Sequence, residues 1–209
     1  MTITNQKYEI TDIAHEQYPF LHRIRALRDI GGEVRKGDLG GFVESQSNLS
    51  FDPGDDAWIF DEAIACNTAY VDQGAVLRED AVLCDSAYAS QGAVLSGSAR
   101  GEDDAYIRGA VLNAYARASG NAVILYNAET RSAPIITGHS TVYGAVTGAV
   151  RITGKAVVIS GECIRNDTMD TLVLDGQDRS VIRYPSRDTL HPDQAEKKAE
   201  KPKAREQSR

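Results

Sequence analysis

The chain has 209 residues and a formal net charge of −7, enough length for one domain with a sizeable core. No apolar run approaches the roughly eighteen residues of a membrane helix, and no charged-then-apolar segment opens the chain, so a cytoplasmic protein without membrane contact is expected. Three cysteines are too few for a disulfide framework and show no zinc spacing, which predicts reduced thiols and no metal site.

Residues 1–50 do not repeat. Lys7–Thr11 and Leu21–Arg28 read as strands, because Tyr8 and Ile10, then Ile24 and Ala26, alternate with polar neighbours. Gly31-Gly32 and Lys36-Gly37 mark turns, and Leu39 to Leu49 reads as an irregular first coil. A solenoid must cover its open end, so this segment is expected to be an N-terminal β cap.

From residue 51 a period takes over. Alanine recurs every six residues at Ala57, Ala63, Ala69, Ala75, Ala81, Ala87, Ala93, Ala99 and Ala105. Two places after each stands a mostly aliphatic slot: Ile59, Ala65, Val71, Leu77, Leu83, Ala89, Leu95, Gly101 and Ile107. Six fits no amphipathic helix and is three times the strand period. It predicts an all-β fold, a left-handed parallel β-helix of hexapeptide repeats over residues 51–165. The residues just before the alanines, such as Asp56, Gly74, Asp80 and Gly92, are read as corners.

Two slips interrupt the period. The step from Ala105 to Ala110 is five. Then Ala116, Ala122 and Ala128 resume the six, with Leu112, Ala118, Ile124, Thr130, Ile136 and Val142 as inward partners. The second slip falls near Gly144, since Val146, Ile152, Val158 and Ile164 are again six apart. About six coils of eighteen residues are expected, with no long loop between them.

Matching residues of successive coils should stack as ladders. Tyr70, Tyr88 and Tyr106 are eighteen apart and form a candidate binding ladder on one outer face. Gly74-Ala75-Val76-Leu77 returns at Gly92 and again at Gly109. This places Val76, Val94 and Val111 in a second outward row, with Trp58 one coil earlier. An apolar row of this kind predicts a homo-oligomer interface, in a trimer or a dimer.

Past the array, Thr171–Leu174 and Ser180–Tyr184 read as capping strands within residues 166–186, joined by Asp175-Gly176-Gln177-Asp178. Residues 187–209 are rich in Lys, Glu, Gln and Arg and are expected to form a disordered tail. Charge is unevenly placed. Between Glu44 and Ala105 there are thirteen acidic residues against Arg78 and Arg100, whereas Tyr106 to Arg165 holds six basic residues against Glu129 and Glu162. The acidic half argues against nucleic-acid binding. Two accounts of it stay open: turn residues at corners, or an acidic face for a protein partner.

The cap carries a resemblance. Lys7 to Thr11, His22 to Asp29, Lys36-Gly37-Asp38-Leu39-Gly40-Gly41-Phe42-Val43-Glu44 and Asn48-Leu49-Ser50 resemble the opening of the YdcK-like group of bacterial and phage hexapeptide-repeat proteins. Trp58-Ile59-Phe60-Asp61-Glu62 and Leu174-Asp175-Gly176-Gln177-Asp178-Arg179 are similar to that group as well. An acyltransferase activity is ascribed to it on the strength of its fold, and a fold alone does not establish an activity.

The resemblance implies acetyl-CoA or another acyl-CoA as cofactor, held in a groove between subunits, with a histidine as general base. His139, in Thr137-Gly138-His139-Ser140 near Tyr143, is the single histidine of the array and so the catalytic candidate; His15 and His22 belong to the cap and His191 to the tail. Two function classes follow. One is a CoA-dependent acyltransferase. The other is a non-catalytic binding or scaffold protein, phage- or prophage-encoded, that works through its acidic or aromatic face.

Overall fold

Most hexads fold as a two-residue strand and a tight corner, and a few strands run to three or four residues. Ala75 and Leu77 are fully buried while Val76 between them is half exposed, and the same alternation holds at Ala81, Val82 and Leu83 and at Ala93, Val94 and Leu95. Small and branched side chains thus take turns in filling a narrow interior, where each buried Leu or Ile contributes about 1.5–3 kcal/mol. The computed structural model describes residues 4–185. The tail expected over 187–209 lies outside the described residues.

Three sheets wrap this interior as a parallel β-helix. The first has nine strands and begins with β1 (Tyr8–Ala14), β2 (His22–Ala26) and β3 (Leu39–Val43), which pair antiparallel. From β3 onward its strands are parallel: Phe42 lies opposite Ile64, and Val43 opposite Ala65. The second sheet has eight strands, from Trp58–Ile59 through Val76–Leu77 and Val94–Leu95 to a closing hairpin of Thr171–Asp175 and Asp178–Ile182. The third has six, starting at Tyr70–Val71, which Leu49 joins through an isolated parallel bridge.

The first two sheets each stack seven parallel strands, so the helix has about seven turns where the period alone predicts six. The additional turn comes from the ends. Leu39 to Leu49 already pairs as a coil, and Thr171–Asp175 lies parallel to Val150–Thr153 before turning back as a hairpin. At about 4.8 Å per coil the prism is roughly 34 Å long.

The corners need the left-handed backbone region, and polar residues supply it. Asp61, Asn67, Gln73, Glu79, Asp85, Gln91 and Asp103 all have φ between 49° and 58°. They stand two places before each alanine. The position immediately before it is left-handed at Gly74, Gly92 and Gly109, but not at Asp56 or Asp80.

The first slip is seen as a coil shortened by one residue, with Val94 opposite Val111. The second shortens the step from Val142 to Val146. One expectation fails. Ala128 and Thr130 are not strand positions: the third-sheet strand ends at Leu125 and the next second-sheet strand begins at Ile135. The chain between them leaves the prism as a loop, closed by an antiparallel bridge between Asn127 and Ser132. Ile124 and Ile136 remain twelve residues apart, so an insertion of one repeat length keeps the period in phase and hides itself.

The cap is bolted to the first coil. Lys7 is 1% exposed and its Nζ donates to the Ser50 carbonyl at 2.9 Å, while the Tyr8 hydroxyl donates to the Leu49 carbonyl at 2.9 Å. Gly40 and Gly41 let β3 lie against the corner of the next coil. A Cβ on Gly41 would stand 2.3 Å from the Ala63 carbonyl oxygen, and one on Gly40 would stand 2.8 Å from the Trp58 ring.

Candidate functional site

His139 sits at a corner whose turn is set by Gly138, at φ 69°. Its backbone N–H donates to the Gly154 carbonyl of the next coil at 2.7 Å. The imidazole is exposed and lies flat on Tyr115, with 4.6 Å between ring centroids and 1° between planes. Tyr115 is itself 61% exposed. A stack of two exposed rings fixes the imidazole plane, but it gives Nδ1 and Nε2 no charged partner of the kind that orients a general base.

The tyrosine ladder forms as the spacing predicts. Tyr70 and Tyr88 stack at 5.8 Å and Tyr88 and Tyr106 at 5.3 Å, with interplanar angles of 29° and 19°. The Tyr88 hydroxyl donates to Asp72 Oδ2 at 2.8 Å. The rings are half buried against one another, which stiffens the third sheet.

The second-face row is in register too: Trp58, Val76, Val94, Val111 and Ile135 lie opposite one another in turn. Trp58, however, is 1% exposed, covered by the cap and edge-on to Tyr8 at 6.3 Å. It is occupied within its own chain and drops out of the outward strip, which therefore starts at Val76 and gains Ile135.

The acidic half has a structural use. At several of the left-handed corners a carboxylate or amide about one coil earlier accepts from the backbone N–H. Asp61 accepts from Glu79 N at 2.9 Å, Asn67 from Asp85 N at 3.2 Å and Asp85 from Asp103 N at 3.1 Å. Glu79 accepts from Gly97 N in the same way. Asp55 holds Gln73 N and Gly74 N, at 2.8 and 2.9 Å. Asp103 ends the row on Gly120 N and the Ser119 hydroxyl, at 2.7 and 2.6 Å.

Comparison with known protein families, curated proteins and solved structures returns no match.

Burial raises the Asp55 carboxyl, but the amides of Ala57, Gly74 and Gln73 and a bond from Ser50 outweigh it and leave the group below its usual range. The Ser119 hydroxyl, then the Gly120 amide, lower Asp103 likewise. A carboxylate depressed in the fold adds stability above its unfolded pKa, and that stability is lost as pH falls through the folded value. The melting temperature is thus expected to hold above about pH 5 and fall below about pH 4. In Asp55→Asn part of that acid loss should already be present at neutral pH, so its decline is shallower. Parallel curves for the two proteins would contradict the corner assignment.

Thiol chemistry is disfavoured at Cys66 and Cys84. Burial, followed by the nearby Glu44 and Asp85 carboxylates, pushes Cys66 up to about 11. Burial, then Asp85, raises Cys84 to about 12. Neither is a thiolate at neutral pH. Among the described residues no three His, Cys, Asp or Glu side chains converge as a metal site requires, and no helix is long and apolar enough to cross a membrane.

Two clefts fall where the sequence suggested no site. One, of about 570 Å³, lies under the β1–β2 connection and is lined by His15, Arg23, Phe42 and Glu62 among others. Arg23 covers the Phe42 ring at 4.2 Å and pairs with Glu62 at 2.6 Å. The other, of about 270 Å³, lies between the inserted loop and the closing hairpin, lined by Arg131, Arg151 and Tyr184 among others. Only the bias toward basic residues after Tyr106 hinted at it.

Proposed function

We propose that this chain is a hexapeptide-repeat scaffold of the YdcK-like group that associates with copies of itself through its second face. The observation that carries this reading is the row of Val76, Val94, Val111 and Ile135, four half-exposed β-branched side chains in register, uncharged until Arg151. Such a strip is flat, rigid and apolar, the properties a sheet-to-sheet contact needs. The roles of Gly40 and Gly41 at the cap junction support the group assignment, because they give the shared Gly-Gly-Phe-Val motif a physical purpose. Val94→Lys is expected to turn an oligomeric wild type into monomers in light scattering, since a closed interface would gather like charges at a cost of several kcal/mol. A wild type that is monomeric at micromolar concentration would remove the reading.

A second reading, CoA-dependent acyl transfer with His139 as base, is favoured by one finding: the inserted loop, since acyltransferases of this class use such loops to cover substrate. It requires acetyl-CoA turnover that falls about 10²–10⁴-fold in His139→Ala. We favour the scaffold, because His139 is stacked on Tyr115 and does not line either cleft described above.

A further inference from the structure

Eight arginines of the described residues pair with a carboxylate. Arg28, Arg108, Arg131, Arg151 and Arg183 do not; Arg28 bonds backbone carbonyls and Arg108 bonds Gln91, whereas the guanidinium groups of Arg131, Arg151 and Arg183 have no hydrogen-bond partner among the described residues. Arg131 and Arg151 line the 270 Å³ cleft, together with the hydroxyl-bearing Thr130, Ser132, Thr171 and Tyr184. Ile135 and Met169 give the same cleft apolar surface. The loop's own carboxylate, Glu129, is exposed and does not line it.

The walls are held in place. Asn127 is 6% exposed; its Oδ1 accepts from the backbone N–H of Glu129 and Thr130, and its Nδ2 donates to Asp167 Oδ1 at 2.9 Å. Asp167 in turn pairs with Arg165 at 2.6 Å. The Thr130 and Ser132 hydroxyls lie 2.6 Å apart. At the tip, Arg131 adopts φ 53°, the left-handed conformation that the coil corners also use. On the far side, Asn166 Nδ2 donates to the Ala149 and Asp170 carbonyls, and the Tyr184 N–H donates to Asp170 Oδ1.

We propose that this cleft binds a small oxyanion with a compact apolar body, a phosphate monoester or a carboxylate, gripped by Arg131 and Arg151. Guanidinium forks match the paired oxygens of both groups, and such charge-assisted bonds are roughly twice as strong as neutral ones. The hydroxyls satisfy the remaining lone pairs. Ile135 and Met169 take the body, and the volume, near the lower limit for ligand sites, restricts it to one ring or a short chain. The site shares Ile135 with the edge of the strip proposed for self-association, but it is built from one chain and does not involve His139.

Phenyl phosphate and benzoate serve as probes in calorimetric titrations of the full chain at low salt. Saturable binding of either is expected, weakened at least about tenfold by Arg131→Ala and by Arg151→Ala. Arg100→Ala, which removes an exposed arginine paired with Glu102, should leave the affinity unchanged. Arg151→Lys keeps the charge but not the fork and should fall between wild type and Arg151→Ala. Unchanged melting temperatures would show that the variants fold. The tighter probe identifies the oxyanion as phosphate or carboxylate, and either outcome supports the site. No saturable binding at millimolar probe, or an equal loss in Arg100→Ala, would overturn it.

Discussion

Replacing Leu95 by Asp is expected to abolish the cooperative melting of the β-helix. Leu95 is fully buried and lies opposite Leu77 and Leu112 in the neighbouring coils. A carboxylate there finds only hydrocarbon, and a buried unpaired charge costs roughly 5 kcal/mol or more. That is the scale of a whole domain's stability. Because each coil packs only on its neighbours, the damage spreads along the stack and is not confined to one turn. Leu95→Ala should cost about 2–5 kcal/mol and still melt cooperatively. The measurement is a thermal scan by circular dichroism, and an unchanged transition in Leu95→Asp would mean that Leu95 and Val94 have exchanged faces.

Gly41→Val should lift the cap from the array. The obstacle is backbone, because the new Cβ would meet the Ala63 carbonyl oxygen at 2.3 Å and Ile59 at 2.6 Å. A main-chain carbonyl cannot swing aside as a side-chain tip can, so a penalty of about 3 kcal/mol is expected at this junction. The chain has a single tryptophan, and Trp58 is buried beneath the cap. Its emission should move to the red and become quenchable by iodide as the cap detaches. An emission spectrum identical to that of the wild type would show that β3 yields without releasing the cap.

The coils were legible because inward alternation and close stacking act on every residue of a hexad. Ala75, Leu77, Ala93 and Leu95 therefore had to recur. The tyrosine ladder followed from the same spacing. Other features depend on neighbours that lie far apart in the chain. Trp58 stood in the expected row, but its burial depends on Tyr8 and β3, which belong to no repeat. The acidic corners were visible as composition. Their use emerged only once Asp85 could be seen accepting from Asp103 N, one coil on. The inserted loop escaped because Ile124 and Ile136 kept a separation of two periods. With it went the cleft of Arg131 and Arg151, which needs the loop and the closing hairpin side by side.

That loop divides the labour of the chain. It leaves the prism after Leu125 and rejoins it at Ile135, with its stem clipped by Asn127 and Ser132. Whatever stands between those two residues makes no demand on the interior, and doubling such a segment costs only about 0.6 kcal/mol in closure entropy. Evolution or a designer can therefore rewrite the loop's half of recognition as a cassette, exchanging Arg131 for other side chains, while the scaffold beneath, Arg151 included, keeps its spacing and its melting point.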